Sequence, residues 1–439
     1  MDVQSDMVRV VMSQKISTLK ALLYGYGSLM GLGSNLIVSW LLYYYCPPSG
    51  SSLPVLAPIA FMGIAILFGR VVDAVSDPLI GYWSDISVTR WGRRRPFIIW
   101  GFVLMALSQV FIWRPIVQGY SLWNAIYATL LLGLFWLGFT AAIAPYLALL
   151  PEIATSVEDR VKLATYQAFF NQVSLVIGGS VVPILLTLVG FFNTALILTA
   201  IATTGMLGIV LVFKEKQLEE IKIAKGMGLW KALKITYTNR IFLVYLIPTA
   251  ILVLSTTMIQ MVIPYLVKVS AGLSEVDVAL FYTPLIIASL ASLPLFRALV
   301  HRHGKKKMYL VGMAMLIIPT FLLTFTGSIG IDPRIYLILI GIVMGVAVTP
   351  LLMLPNAFIA DITDIDEKMT GYRREAIYFG SQGFVTKSMA GLAGVLTSLF
   401  LETFGYSPGA DMGIRLATAF SAIIIIAAAL IFTRYPLEK

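Results

Sequence analysis

Cysteine is all but missing from this sequence: Cys46 stands alone among 439 residues. No intrachain disulfide can form, and no thiolate cluster can hold a metal. Histidine is nearly as scarce. His301 and His303 are the only two, both set in a basic loop, and they read as solvated side chains. No nucleophile–base spacing appears, and no Gly-rich phosphate loop: GYGSLMGLG, from Gly25, lies inside an apolar run and lacks the following Lys. An enzyme and a resident cofactor are therefore not expected. Charge is the third scarcity. Asp, Glu, Lys and Arg make up 12% of the chain against 59% hydrophobic residues, where soluble chains carry about 25% charged residues. A soluble domain could not hide so much apolar surface, so the class is an all-α, polytopic membrane protein.

What charge there is sits between apolar runs. The net charge is +10, but no basic domain with interleaved aromatics could track a nucleic-acid backbone, so no nucleic-acid partner is expected. The polar start MDVQSDMVRVVMSQKIS precedes an apolar run too long for a signal sequence, and no cleaved targeting peptide is expected. Apolar runs near the bilayer-spanning length of about 20 residues fall at 20–45, 55–84, 96–113, 121–149, 166–188, 194–213, 241–267, 277–297, 308–327, 335–360, 376–401 and 412–433. Twelve transmembrane helices are therefore predicted, enough for a monomer to work alone.

Basic residues set the orientation. The loops after even-numbered spans hold Arg90, Arg93, Arg94 and Arg95, the run from Lys214 to Arg240, and Arg302 with Lys305, Lys306 and Lys307. The opposite loops offer Arg114, Lys268 and Arg334. By the positive-inside rule both termini are cytoplasmic. The one long charged break, 214–240, divides the chain into an N-terminal bundle of six spans (1–213) and a C-terminal bundle of six (241–439). It reads as a cytoplasmic linker, either solvated or lying on the membrane with Leu229, Trp230 and Leu233 toward lipid.

An internal repeat supports the halving. VTRWGRRRP from Val88 and VHRHGKKKM from Val300 each follow the second span of their half. A weaker echo pairs PYLALLPEIATSVEDR from Pro145 with PNAFIADITDIDEK from Pro355. Parallel six-span halves are a transporter architecture, with the site between them near the membrane midplane. The two basic loops, carrying Arg90, Gly92, Arg93, Arg94 and Arg95 in one half and Arg302, Gly304 and Lys305 in the other, are read as gating loops.

The second span breaks the apolar rule. GRVVDAVSDPLIGYWSD, from Gly69, places Arg70, Asp73 and Asp77 on one helical face with Ser76 beside them. Intramembrane charges are costly by a few kcal/mol each and mark functional sites by default. Two carboxylates and a hydroxyl suit a hard monovalent cation, and carboxylates can alternatively hold a proton. The competing reading is a salt bridge from Arg70 to Asp73, but one Arg cannot neutralise both acids. Pro78 frees a backbone carbonyl one turn earlier, as a ligand or a hinge. In the eleventh span Lys387, inside GSQGFVTKSMAGLAGV, needs an acidic partner, and Asp73 or Asp77 across the two halves is the candidate. Its alternative role is a packing ion pair. Arg415, near the outer end of the twelfth span, reads as snorkelling. The glycine-rich stretches, YGYGSLMGLGSN from Tyr24 and GLAGV from Gly391, read as close helix packing rather than binding.

On these residues the chain resembles the glycoside–pentoside–hexuronide:cation symporters, a branch of the major facilitator superfamily that includes bacterial melibiose permease. DAVSDPLIG is similar to the family's second-helix D-A-x-x-D-P-x-x-G, and YGYGSLMG to its helix-one start. Thr140, PYLALLP and the Lys of FVTKS fall where the family has theirs, and SDISVTRWGRRRPFI resembles a loop of plant sucrose carriers. The resemblance implies a cation site at Asp73, Ser76, Asp77 and Thr140, with sodium or a proton as coupling ion, and Lys387 linking cation and substrate sites. The sugar site carries over less well, because Leu32, Ile143 and Ala168 stand where charges would. What remains is Asn35, Asn171, Gln172, and Trp136 as a stacking surface. The fourth and eleventh spans also resemble sodium-dependent lysophospholipid symporters. The implied function is cation-coupled symport of a sugar or glycoside by alternating access, with lysolipid as the alternative cargo. A receptor without net flux is the reading from another class, and the retained pair of aspartates argues against it.

Overall fold

The computed structural model describes residues 16–87, 89–154, 156–213, 236–370 and 375–436. The break expected over 214–240 falls mostly outside them, as do Leu229, Trp230 and Leu233. In the N-terminal half the helices are α1 (Thr18–Tyr26), α2 (Gly33–Tyr45), α3 (Ile59–Ile86), α4 (Arg95–Phe111), α5 (Leu122–Ala148), α6 (Leu150–Ile153), α7 (Val157–Val176) and α8 (Val182–Val212). The C-terminal half has α9 (Arg240–Tyr265), α10 (Ala279–His303), α11 (Lys305–Leu322), α12 (Pro333–Met353), α13 (Pro355–Thr370), α14 (Glu375–Phe404) and α15 (Met412–Phe432). Among the described residues there is no β-strand. In lipid a backbone must satisfy its own hydrogen bonds, and helices do so within one segment. Their starts are capped locally: Ser121 accepts from the Trp123 amide, Ser156 from Asp159, and Asn239 from Ile241 and Phe242.

Ten of the described helical segments are long and apolar enough to cross a membrane. The chain is thus a multi-pass integral membrane protein. The ten differ from the expected twelve at two places. Arg95–Phe111 is apolar but shorter than the others. Glu158–Val212 runs for 55 residues and holds two of the expected spans. They part at Gly190, whose φ of 77° and ψ of 173° break the helix. Only a residue without Cβ adopts that backbone cheaply.

The first expected span is also less regular than its hydropathy implied. Between α1 and α2 the chain tightens into a 3₁₀ turn at Gly27–Gly31. The glycines here sit at close approaches: a Cβ on Gly25 would lie 2.5 Å from the Tyr166 backbone, and one on Gly33 1.7 Å from Gln109. The packing role read for YGYGSLMGLGSN is the one these contacts describe.

Call the ends of the molecule basic, where Arg93 to Arg95 and Lys305 lie, and far. Both basic loops turn on a glycine with positive φ, Gly92 at 106° and Gly304 at 85°. Each loop is also tied to an acidic residue that follows the next-but-one long helix of its half. Arg93 and Arg94 pair with Glu152, the Arg94 Nε at 2.6 Å, and Lys305 pairs with Asp361. The two sequence echoes are therefore one device, made twice. Arg95 adds a donor to the Phe213 carbonyl at the end of α8. Arg90 lies over the Trp91 ring, and Arg302 is exposed at the end of α10.

The halves meet along α3 and α14, which run antiparallel. Toward the far end a Cβ on Gly394 would come within 2.6 Å of Ile66, and one on Gly391 within 2.9 Å of Arg70 and Leu67. Hydrogen bonds reinforce this closed end. Tyr43 donates to Glu275 at 2.8 Å, Gln260 to Ser39 at 3.1 Å, Tyr265 to the Cys46 carbonyl at 2.8 Å and Thr283 to Ser180 at 2.8 Å. Past Asp77 the same two helices separate. Gly81, one turn beyond Asp77, and Gly380 have nothing within 4 Å of where a Cβ would stand. A cleft thus opens toward the basic end.

That seam makes a prediction. Gly394→Val overpacks against Ile66, and core overpacking costs about 1–3 kcal/mol. In a Cys46→Ser background, alkylation from the far side of a cysteine placed at Leu67 should rise roughly tenfold. Gly81→Val, which faces open space, should leave that rate near its starting value. Equal effects from both variants would mean that the seam does not hold the far end shut.

Candidate cation and solute site

The charged residues of α3 and α14 meet at the apex of the cleft. The register follows from the packing just described: α3 and α14 approach on small residues, so their one polar layer must face itself. Asp73 is fully buried, at 0% exposure. Lys387 Nζ donates to Asp73 Oδ1 at 2.8 Å and to Asp77 Oδ2 at 2.6 Å. From α5 the Thr140 hydroxyl lies 2.8 Å from Asp73 Oδ1 and 3.0 Å from Asp77 Oδ1, one proton shared between two carboxylates. Arg70 Nη1 reaches Asp73 Oδ2 at 3.4 Å. Its guanidinium lies over the Trp136 ring, 3.6 Å from the centroid. Two carboxylates are thus opposed by two cations, which is what allows four charges to persist in lipid. Asp77 and Lys387 keep partial exposure, 35% and 23% of their side chains, toward the cleft.

The other residues predicted for this site are placed differently. Ser76 is buried beside the pair, but its hydroxyl donates to the Asp73 carbonyl at 3.1 Å rather than facing the carboxylates. A helical Ser bonding its own preceding turn is ordinary chemistry that spacing alone does not reveal. α3 continues through Pro78 as one helix to Ile86. Among the described residues no group of three or more His, Cys, Asp or Glu converges. The carboxylate pair with the Thr140 oxygen is an all-oxygen set, which suits a hard cation of low charge.

In the N-terminal half, where α2, α5 and α7 meet, lies a cavity of about 330 Å³. Asn35, Asn171, Gln167, Ser34 and Ser174 line it, facing an apolar wall that includes Phe139 and Ile143. Pockets for small ligands run from about 300 Å³ upward and mix such walls. Asn35 Nδ2 points at the Ser174 carbonyl, 3.4 Å away. Two of the four predicted solute contacts are therefore here, and two are not. Gln172 does not line this cavity. Trp136 is 3% exposed with its face taken by Arg70, so it offers no stacking platform. Gln167 was missed because nothing distinguished it from other polar residues near a span end.

Two further corrections concern basic residues. Arg415 does not snorkel freely: its guanidinium holds Asp411 at 2.8 Å and donates to the Thr324 carbonyl at 2.6 Å. His301 and His303 belong to the last turn of α10, not to a loop, and His301 lines a second cavity together with Arg297.

Helices arranged as two halves around a charged apex, open at one end, define a membrane carrier. The chain belongs to the MFS/sugar transport protein family, whose model matches residues 23–439. It is a transporter and not an enzyme. Among relatives, it is 24% identical to an isoprimeverose transporter of Lactiplantibacillus pentosus, over 85% of this chain and 78% of that one. It is 25% identical to a glucuronide carrier protein homolog of Escherichia coli, over 87% and 83%. It is also 23% identical to a sodium-dependent lysophosphatidylcholine symporter of Danio rerio, over 86% and 78%. Among solved structures, a POT family transporter shares the fold with a TM-score of 0.70 at 11% identity, over 94% of this chain and 95% of that one.

Proposed function

We propose that this protein is a cation-coupled symporter that carries a small sugar or glycoside by alternating access between bundles 1–213 and 241–439, in twelve membrane passes. The observation that carries the reading is the Lys387 ammonium held by Asp73 and Asp77 across the two halves. An ammonium seated between carboxylates occupies the position that a sodium ion or proton would take. When the coupling ion binds, Lys387 is released, and the tie between the halves changes with it. Coupling needs only that ion and solute each favour the state the other binds.

The basic end is cytoplasmic by the positive-inside rule, which makes the cleft inward-facing and puts both termini in the cytoplasm. The cavity in the N-terminal half supports a sugar as cargo. Its amide and hydroxyl groups provide directed hydrogen bonds, and Phe139 offers an apolar face. The carrier works as a monomer in this reading.

The test is uptake by purified protein in proteoliposomes under an imposed inward sodium or proton gradient, with labelled mono- and disaccharides beside a fluorescent lysophosphatidylcholine. Gradient-driven sugar accumulation is the expected result. Lysolipid movement without sugar uptake would replace the cargo and keep the symporter. Binding of a sugar with no flux under any gradient would turn the reading to a receptor.

A further inference from the structure

The second cavity, about 560 Å³, lies near the basic end of the C-terminal half. Its lining is Leu293, Pro294, Arg297, Ala298 and His301 of α10, with Met353 of α12. Four of these six are apolar, and no carboxylate is among them. Arg297 is the unusual member. It stands six residues before the end of α10 at His303, or about 9 Å inside the helix end.

The direction of Arg297 follows from helix periodicity. Thr283 and Ile286 of α10 touch the opposite half at Ser180 and Gly179. Arg297 lies about four turns past Thr283 and three past Ile286, on the same face. His301 follows one turn later, still on that face. The stripe therefore turns from the closed far end into the open cleft, and not toward lipid, where a snorkelling Arg would point.

Its charge is uncompensated. Arg70 and Lys387 answer Asp73 and Asp77, Arg415 answers Asp411, Arg93 and Arg94 share Glu152, and Lys305 holds Asp361. Among the described residues no acidic group reaches Arg297 within ion-pair distance. The carboxylates and cations of the apex cancel, and so leave Arg297 as a surplus positive charge on its own wall before any ion enters. A bound sodium ion would raise that surplus further. A solute bearing a negative group removes it.

We propose that Arg297, with His301 one turn away, forms an oxyanion subsite in the cleft that takes a carboxylate or phosphate group of the transported solute. The guanidinium fork matches both groups through two parallel N–H donors, and both Arg297 and His301 are exposed and so open to an incoming solute. His301 adds a further ring N–H. The subsite rests on the transporter reading but not on the identity of the coupling ion.

The test is equilibrium binding to the purified full chain in detergent, using phenyl β-glucuronide against phenyl β-glucoside, which differ at one carboxylate. Lysophosphatidylglycerol against monooleoylglycerol supplies the phosphate arm. In one of these pairs the wild type should prefer the anionic member. Arg297→Gln should reduce that preference about 2- to 5-fold, the worth of a solvent-exposed ion pair. Arg297→Lys should restore part of it, and His301→Gln should give a smaller loss. Preference in the glucuronide arm assigns a soluble organic anion, and preference in the phosphate arm alone assigns a lysolipid headgroup.

No preference in either pair, or a preference that Arg297→Gln leaves intact, overturns the proposal. So does an effect of Arg297→Gln confined to the binding of phosphatidylglycerol added to the same detergent samples, which would make the phosphate that of a bilayer lipid. Sodium binding, measured separately on the same samples, reports on Asp73 and Asp77. Its absence would count against sodium as the coupling ion and not against this subsite.

Discussion

Asp77→Asn is expected to cut gradient-driven solute accumulation by roughly 100-fold or more, and Asp73→Asn to do the same. Each removes a full negative charge from the proposed cation position, which has two. The variants should differ in stability. Asp73 is fully buried and meets Lys387, Thr140 and Arg70. Neutralising it leaves two cations facing one carboxylate, and breaking a buried pair costs about 3–5 kcal/mol. Asp77 keeps 35% of its side chain exposed, so water takes up part of that loss. Thermal unfolding in detergent should therefore fall further for Asp73→Asn, while transport fails in both. If both variants accumulate solute normally under sodium and proton gradients, the charged layer is scaffold.

The second large effect concerns Lys387. If its ammonium stands where the coupling ion goes, the ion must displace it. Lys387→Gln then relieves the competition, and sodium affinity without solute should rise about tenfold or more, the scale of one charge-assisted contact. Accumulation should nevertheless collapse, because Lys387 is the part of the site that crosses from one half to the other. Sodium binding by calorimetry, paired with uptake in proteoliposomes, separates the two quantities. A fall in sodium affinity would overturn the competition and make Lys387 a supporting partner of the ion. A proton-coupled protein would show its gain as a raised affinity for protons, read from the pH at which binding is half complete.

How much of this was legible beforehand varies with the kind of residue. The charged apex was the most legible part, because charge inside an apolar run is conspicuous. Asp73, Asp77 and Lys387 could each be singled out without any fold; one Arg could not neutralise both acids, and Lys387 had no nearer acidic partner, which pointed them at one another. Thr140 came only through family resemblance, since a lone hydroxyl in lipid is unremarkable. Trp136 went astray for a reason that spacing cannot reveal: its face is covered by Arg70, one helix away. Arg297 was passed over because it stands where a span gives way to a basic loop, and there a cation is what membrane orientation already calls for. Its direction depends on where α10 crosses the other half. The split of the long segment at Gly190 was legible as two apolar runs, whereas the tightening at Gly27–Gly31 depends on how closely neighbours approach those glycines.

The sealed stretch between α3 and α14 also has an electrical consequence. From Ile59 to Asp73 the helix advances about 21 Å, or roughly two thirds of a hydrocarbon core of about 30 Å. Most of a transmembrane voltage must fall across that dry stretch, and little across the wet cleft. A charge entering or leaving at Asp77 from the open side therefore crosses only a small part of the field. In the proposed alternating-access cycle the seam would shift to the other side of the charged layer, and the same ion at the same carboxylates would then stand at a different potential, having moved almost nowhere. At about 2.3 kcal/mol per charge for each 100 mV, the movement of the insulation, more than of the ion, would in that cycle be what draws on the voltage.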